Sequence, residues 1–297
     1  VVLTQTMFVN ETYVVYFNLT NPRAEQESPA VSVGGTVEAG PIDADVVTLG
    51  MTKLNDVRLG VSNGTDPLKV IEPIFTVLGI EQSNPIWMVV NTMTVSLVTN
   101  CDFATGSIIT ISGLTGSASA STTSLTVDSD FAASGDWDQG DGNLTVVLTQ
   151  TMFVNETYVV YFNLTNPRAE QESPAVSVGG TVEAGPIDAD VVTLGMTKLN
   201  DVRLGVSNGT DPLKVIEPIF TVLGIEQSNP IWMVVNTMTV SLVTNCDFAT
   251  GSIITISGLT GSASASTTSL TVDSDFAASG DWDQGDGNLT VVLTQTM

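Results

Sequence analysis

The residue pattern best suited to chemistry in this chain is the Asn-x-Ser/Thr triplet, which accepts an oligosaccharide on an exposed asparagine amide. Four triplets fall in the first 145 residues, at Asn10, Asn18, Asn63 and Asn143, and four more at Asn155, Asn163, Asn208 and Asn288. Their contexts predict exposure. Asn18 lies on the face opposite Tyr13, Val15 and Phe17, Asn143 opposite Leu144 and Val146, and Asn63 in an Asn-Gly turn. These eight asparagines are the expected carriers of covalent N-glycans.

Carboxylates come second. Asp136, Asp138 and Asp141 crowd one glycine-containing stretch with Asp128 and Asp130, and Asp43 and Asp45 form a smaller group. Calcium takes roughly six to eight oxygen ligands, so clustered aspartates make it the one metal to consider. The EF-hand template fails, because counting from Asp136 puts Asp141 where Gly is needed and Val147 where Glu is needed. Solvated loop acids are the ordinary alternative. Catalysis has less to stand on. The chain has no His, which excludes Ser–His and Cys–His nucleophiles. A carboxylate pair such as Asp136 and Asp138 is common on acidic surfaces, so no catalytic residue is assigned and no enzyme is expected.

The balance of 32 acidic against 8 basic residues gives a net charge of −24. Such a chain repels nucleic acid and anionic membranes, which need clustered Lys and Arg. Acidic disordered chains are poor in apolar residues, whereas this one is 42% hydrophobic with a mean hydropathy of +0.28, so it folds. One cysteine per repeat, Cys101 and Cys246, cannot form a disulfide within a repeat and reads as a buried small hydrophobe. No apolar run approaches the ~20 residues of a membrane-spanning helix, and no signal peptide is visible.

The elements that must position these residues are written twice. Val1–Thr145 recurs without substitution as Val146–Thr290, and Val291–Met297 begins a third copy, as expected of a window from a tandem array. Apolar residues alternate with period two in Thr12–Thr20, Thr92–Thr99 and Leu144–Thr149, the mark of half-buried strands. Shorter candidates are Ala30–Val33, Val46–Met51, Val57–Val61, Lys69–Val77, Ile86–Val90, Ser107–Ser112 and Ser124–Val127. Gly34-Gly35, Asn63-Gly64 and similar pairs read as breaks. The expected fold is all-β, tandem β-sandwiches of period 145. Val1 continues a strand that begins at Leu144 in the second copy, so the folding units are offset from the numbering. Residues 1–40 are then the C-terminal part of one sandwich, 67–185 a complete one, and 212–297 the N-terminal part of the next. Residues 41–66 and 186–211 are inter-unit hairpins that pack on one sandwich or bridge two.

The order of Asn91–Val95, Ser107–Ser117, Trp137, Tyr158–Phe162, Leu164–Pro167 and Ser173–Val178, preceded by Met51–Lys53, Gly60–Gly64 and Pro67–Val70, resembles a known repeat. It is the tandem immunoglobulin-like repeat of very large secreted proteins of algae and other microbial eukaryotes. The chain also resembles the protein core of glycan-coated extracellular fibrils. The resemblance implies an extracellular structural role and no reaction. The reading is therefore a glycosylated, extracellular linear fibre whose partners are neighbouring repeats and other copies of itself. The alternative is a cell-surface adhesin stalk, rigidified by calcium, that binds carbohydrate or a partner cell.

Overall fold

β-Branched and aromatic residues at every second position pack well on a pleated surface. The computed structural model describes residues 3, 5–38, 40–183 and 188–297, and every regular element among them is a strand. The fold is all-β. Val1 and the 185/186 boundary lie outside the described residues. The chain forms two compact units, Val1–Pro73 and Ile74–Met297.

The first unit holds one antiparallel hairpin, β1 (Ser32–Val37) with β2 (Ala44–Gly50). The second unit begins with β3 (Phe75–Gln82), β4 (Val90–Thr99), β5 (Ile108–Ser112), β6 (Thr122–Asp128), β7 (Ser134–Asp138) and β8 (Asn143–Val147). It continues with β9 (Tyr158–Thr165), β10 (Ser177–Val182), β11 (Ala189–Gly195) and β12 (Thr197–Lys198). These ten pair in the order β11-β10-β5-β8-β7-β6-β9-β4-β3-β12. Strand β6 changes partners along its length: Thr122–Thr126 pairs with β7, while Val127 and Asp128 pair with β9. The result is sandwich-like. The same unit then carries the pair β13 (Phe220–Gln227) and β14 (Met238–Thr244). It ends with β15 (Ile253–Ile256), β16 (Thr267–Thr271), β17 (Ser279–Asp283) and β18 (Asn288–Val292), ordered β15-β18-β17-β16.

Alternation decides which side chains enter the core. Met93, Val95 and Leu97 of β4, Ile109 and Ile111 of β5, Leu144 and Val146 of β8, and Val160, Phe162 and Leu164 of β9 are all buried. Phe75 and Phe103 meet with ring centroids 5.5 Å apart. Each such side chain contributes about 1.5–3 kcal/mol by leaving water.

Some expected breaks and strands fall differently. Gly179-Gly180 is no turn but part of β10, with a bulge between Val178 and Gly180. Gly180 has φ +151°, and a Cβ there would stand 1.9 Å from the Ile108 carbonyl oxygen, so only glycine lets the two backbones pair. The acidic stretch contains a strand, β7, which buries Trp137 between exposed Asp136 and Asp138. Val202–Val206, equivalent to Val57–Val61, is a tight turn closed by the Arg203–Val206 bridge, with Leu204 at φ +50°. Of Ile86–Val90 only Val90 enters a strand.

Identical sequence does not give identical structure. Tyr158–Thr165 is held between β4 and β6, and Phe162 is 2% exposed. Tyr13–Thr20 has no such neighbours among the described residues, forms no strand, and leaves Phe17 74% exposed.

Candidate functional site

The sequon asparagines share one property. Asn10, Asn18, Asn63, Asn155, Asn163 and Asn208 are exposed, and Asn143 and Asn288 are half-buried at the starts of β8 and β18. Among the described residues, none of the eight uses its Nδ2 in a hydrogen bond. Asn163 stands on the outer face of β9, where its Oδ1 accepts from Thr92 Oγ1 at 2.8 Å and its nitrogen stays free. Tyr161, two residues before it on the same face, is 43% exposed and offers a ring beside the amide. Asn10, Asn63, Asn155 and Asn208 sit at positive φ, between 55° and 66°, in turns that project the side chain. Asparagines outside the triplets are used differently. Asn84, Asn91, Asn100 and Asn166 all commit side-chain atoms to hydrogen bonds.

The aspartates are spread along the fold. Asp136, Asp138 and Asp141 are exposed, and the Asp138 carboxylate accepts from the Gly140 amide at 2.8 Å, closing the β7–β8 turn. Asp43 and Asp45 are exposed beside the β1–β2 hairpin of the first unit. Among the described residues no three His, Cys, Asp or Glu come together as a metal site.

Cys101 and Cys246 are buried free thiols. Burial, and secondarily the Asp102 carboxylate, pushes the Cys101 thiol from 9.0 up to about 11, and burial and Asp247 raise Cys246 in the same direction. A protonated buried thiol is a poor nucleophile. Alkylation by iodoacetamide at about pH 8 is therefore expected to be slow in the folded chain and fast at both sites in urea, read by intact mass. The folded state holds the Cys101 proton more tightly than the unfolded state. Its contribution to stability is full below the ordinary thiol value of 9.0 and is lost as pH rises through about 11. Cys101→Ala should flatten that alkaline decline in urea midpoint.

Sequence reasoning missed the most connected polar cluster, which lies where one repeat meets the next. Buried Asn91 donates through Nδ2 to Gln82 Oε1 at 2.7 Å and to Asn166 Oδ1 at 2.8 Å. Asn166 donates onward to the carbonyls of Asn84 (2.9 Å) and Ile86 (2.7 Å). Gln82 donates to the carbonyls of Gly209 (3.0 Å) and Lys214 (2.8 Å), so the cluster reaches into the connecting stretch. That stretch is more than a hairpin. Its first part, β11, pairs with β10 at one end of the strand order, and β12 runs parallel to β3 at the other end. Residues 199–216 then follow β3: Arg203 lies 3.6 Å from Glu81, and the Gln82 amide donates to the Thr210 carbonyl at 2.8 Å. The same residues meet the loop between β14 and β15, where the Asp247 amide donates to the Leu204 carbonyl at 2.9 Å. No signal in the sequence marks it: Gln82 lies in the polar stretch Glu81–Asn84, and Asn91 stands at the start of a strand beside Thr92. Their convergence, 9 residues apart with Asn166 another 75 away, needed the fold.

Comparison with models of known protein families gives no match, and neither does comparison with curated proteins.

Proposed function

We propose that this chain is structural: an extracellular, N-glycosylated linear fibre built from identical repeats joined head to tail, each repeat an immunoglobulin-like sandwich. The observation that carries the reading is the connecting stretch, whose residues 199–216 bond to β3 on one side and to Asp247 on the other. A connection anchored on both sides fixes the angle between successive repeats. Identical junctions repeat one rotation and one translation, and such a series grows into a straight or helical rod. The free Nδ2 atoms of the eight sequon asparagines support a glycan sheath, which with the −24 charge would shield strand edges from stray pairing.

Electron microscopy of native material tests the fibre: filaments with a regular axial spacing, unchanged by chelator, are expected. Dispersed single chains that bind a glycan array would overturn it. The sheath has its own test. Enzymatic removal of N-glycans from secreted protein should lower its intact mass at two or more sites per repeat, and an unchanged mass would sink it.

A further inference from the structure

Two side chains on the outer face of β9 are left unused by the fold. Tyr158 packs its ring against Phe131, with centroids 5.9 Å apart, and its hydroxyl accepts from the Phe153 amide. Tyr161, 43% exposed, has no such ring or hydroxyl contact among the described residues. Asn163 stands two residues further on the same face, about 6.6 Å along at the usual strand rise. Only half of its amide is committed. Thr92 Oγ1, across on β4, donates to Asn163 Oδ1 at 2.8 Å, which turns the oxygen toward β4 and leaves Nδ2 facing away from it. On that other side runs β6, where Asp128 lies opposite Tyr161. These strands enclose a groove of about 600 Å³, within the ~300–1,000 Å³ of sites for small molecules. Half-buried Leu125 gives it an apolar wall, and exposed Thr126 and Asp128 a polar rim.

The geometry points to a carbohydrate seat in this groove, occupied by the innermost sugars of the oligosaccharide that Asn163 itself carries. A pyranose has a face of C–H groups and a rim of hydroxyls. The C–H face packs on the negative face of an aromatic ring, which Tyr161 offers, and the hydroxyls donate to a carboxylate, which Asp128 offers. The covalent tether decides which sugar binds. A glycan on Nδ2 leaves Asn163 on the side that faces the groove, so its first sugars are held there at high effective concentration. The Thr92 bond survives the modification because it uses the oxygen alone. Other sequons lack this combination. Asn155, at φ 62° in an exposed turn, holds its glycan out from the surface. Asn143 borders a second groove, of about 380 Å³, but the aromatic residue there, Trp137, is 1% exposed and offers no ring face. The Asn163 oligosaccharide is thus a packed part of the sheet surface, and the Asn155 oligosaccharide a free chain.

This inference rests on the glycosylated reading, but its test is separate from that of the sheath. The secreted full chain is treated with an amide-cleaving N-glycosidase in oxygen-18-labelled water, which turns each released asparagine into labelled aspartate. Asn143, Asn155 and Asn163 lie on one tryptic fragment, residues 70–168, so tandem mass spectrometry compares their release within one peptide. In the folded chain Asn163 should be released about tenfold more slowly than Asn155, and in urea the two rates should converge. Tyr161→Ala should speed release at Asn163 by about two- to tenfold, the worth of one aromatic contact, and leave Asn143 and Asn155 unchanged. Tyr161→Leu, which keeps apolar bulk without a π face, should act in the same direction, and Tyr161→Phe should release as slowly as the parent. Three results would overturn the seat and leave the sheath in place: equal rates at Asn163 and Asn155 in the folded chain, slow release that neither Tyr161→Ala nor Tyr161→Leu changes, or a bare Asn163 beside a glycosylated Asn155. Sequons that are all bare would remove the sheath, and the seat with it.

Discussion

Trp137→Ala should destabilise the Ile74–Met297 unit by about 3–5 kcal/mol, the range for deleting a buried aromatic ring from a core that closes only partly around the hole. The ring is 1% exposed in the middle of β7, and its Nε1 donates to the Ser119 carbonyl at 3.0 Å. Gly135, on the same strand, explains the close fit: a Cβ there would meet Leu144 Cδ1 at 2.8 Å and the Thr145 carbonyl at 2.9 Å. Strands this tightly packed do not collapse readily into a cavity. Hydrogen exchange of β7 and β8 amides is the measurement, since it reads the local opening free energy directly. Protection should fall by about two to three and a half orders of magnitude. Trp137→Phe should lose less, because it keeps most of the volume while leaving the Ser119 carbonyl without its donor. A loss below tenfold for Trp137→Ala would show that β7 is not part of the core.

Asn91→Ala should cost about 2–5 kcal/mol, and the identical change at Asn236 about 1 kcal/mol or less. Asn91 is fully buried and holds five partners: two accept from its Nδ2, and the Ser83 amide (3.1 Å), Asn84 amide (3.0 Å) and Ser83 hydroxyl (3.3 Å) donate to its Oδ1. Removing it strands Gln82 Oε1 and the Asn84 amide without water to replace the lost bonds. Asn236 keeps part of this arrangement, donating to Gln227 Oε1 at 2.8 Å, but the bond is exposed and solvent can take over. Both residues sit in the same local sequence. The ratio of the two costs, read by hydrogen exchange in β4 and β14, therefore isolates burial from sequence context. Equal costs would refute the role assigned to the junction cluster.

The strand content was readable because period-two alternation reports directly which side chains a sheet can bury. Met93, Val95 and Leu97 entered the core as their spacing required, and Asn163 faced outward for the same reason. β7 was hidden because its outer positions are aspartates, so a single buried tryptophan carries the whole apolar signal. The Gly179-Gly180 strand was hidden for the opposite reason. Glycine usually marks a turn, and its use here as a point of backbone contact depends on Ile108, 72 positions away by sequence numbering. The Gln82–Asn91–Asn166 cluster was invisible because polar residues in a strand look solvated until the strands are assembled.

The chain repeats its own sequence, so what is local and what is tertiary can be separated inside one molecule. Local geometry recurs wherever the sequence does. Asn55 and Asn200 both lie at φ 58°, each with its amide bonded to the carboxylate of Asp66 or Asp211 at 3.0 Å. Tyr13 and Tyr158 both accept from an amide five residues upstream at 2.8 Å. Such contacts close short loops, whose entropic cost is small, so a few neighbouring residues suffice to specify them. Strand pairing across the fold does not recur in this way. Tyr158–Thr165 is a core strand and Tyr13–Thr20 is an exposed extended segment, although their residues are the same. A strand satisfies its backbone groups only through neighbours brought from elsewhere in the chain. The sequence by itself determined the short-loop contacts and the period-two alternation. Which copy of each strand became core was decided by whether its partners were there to bond it.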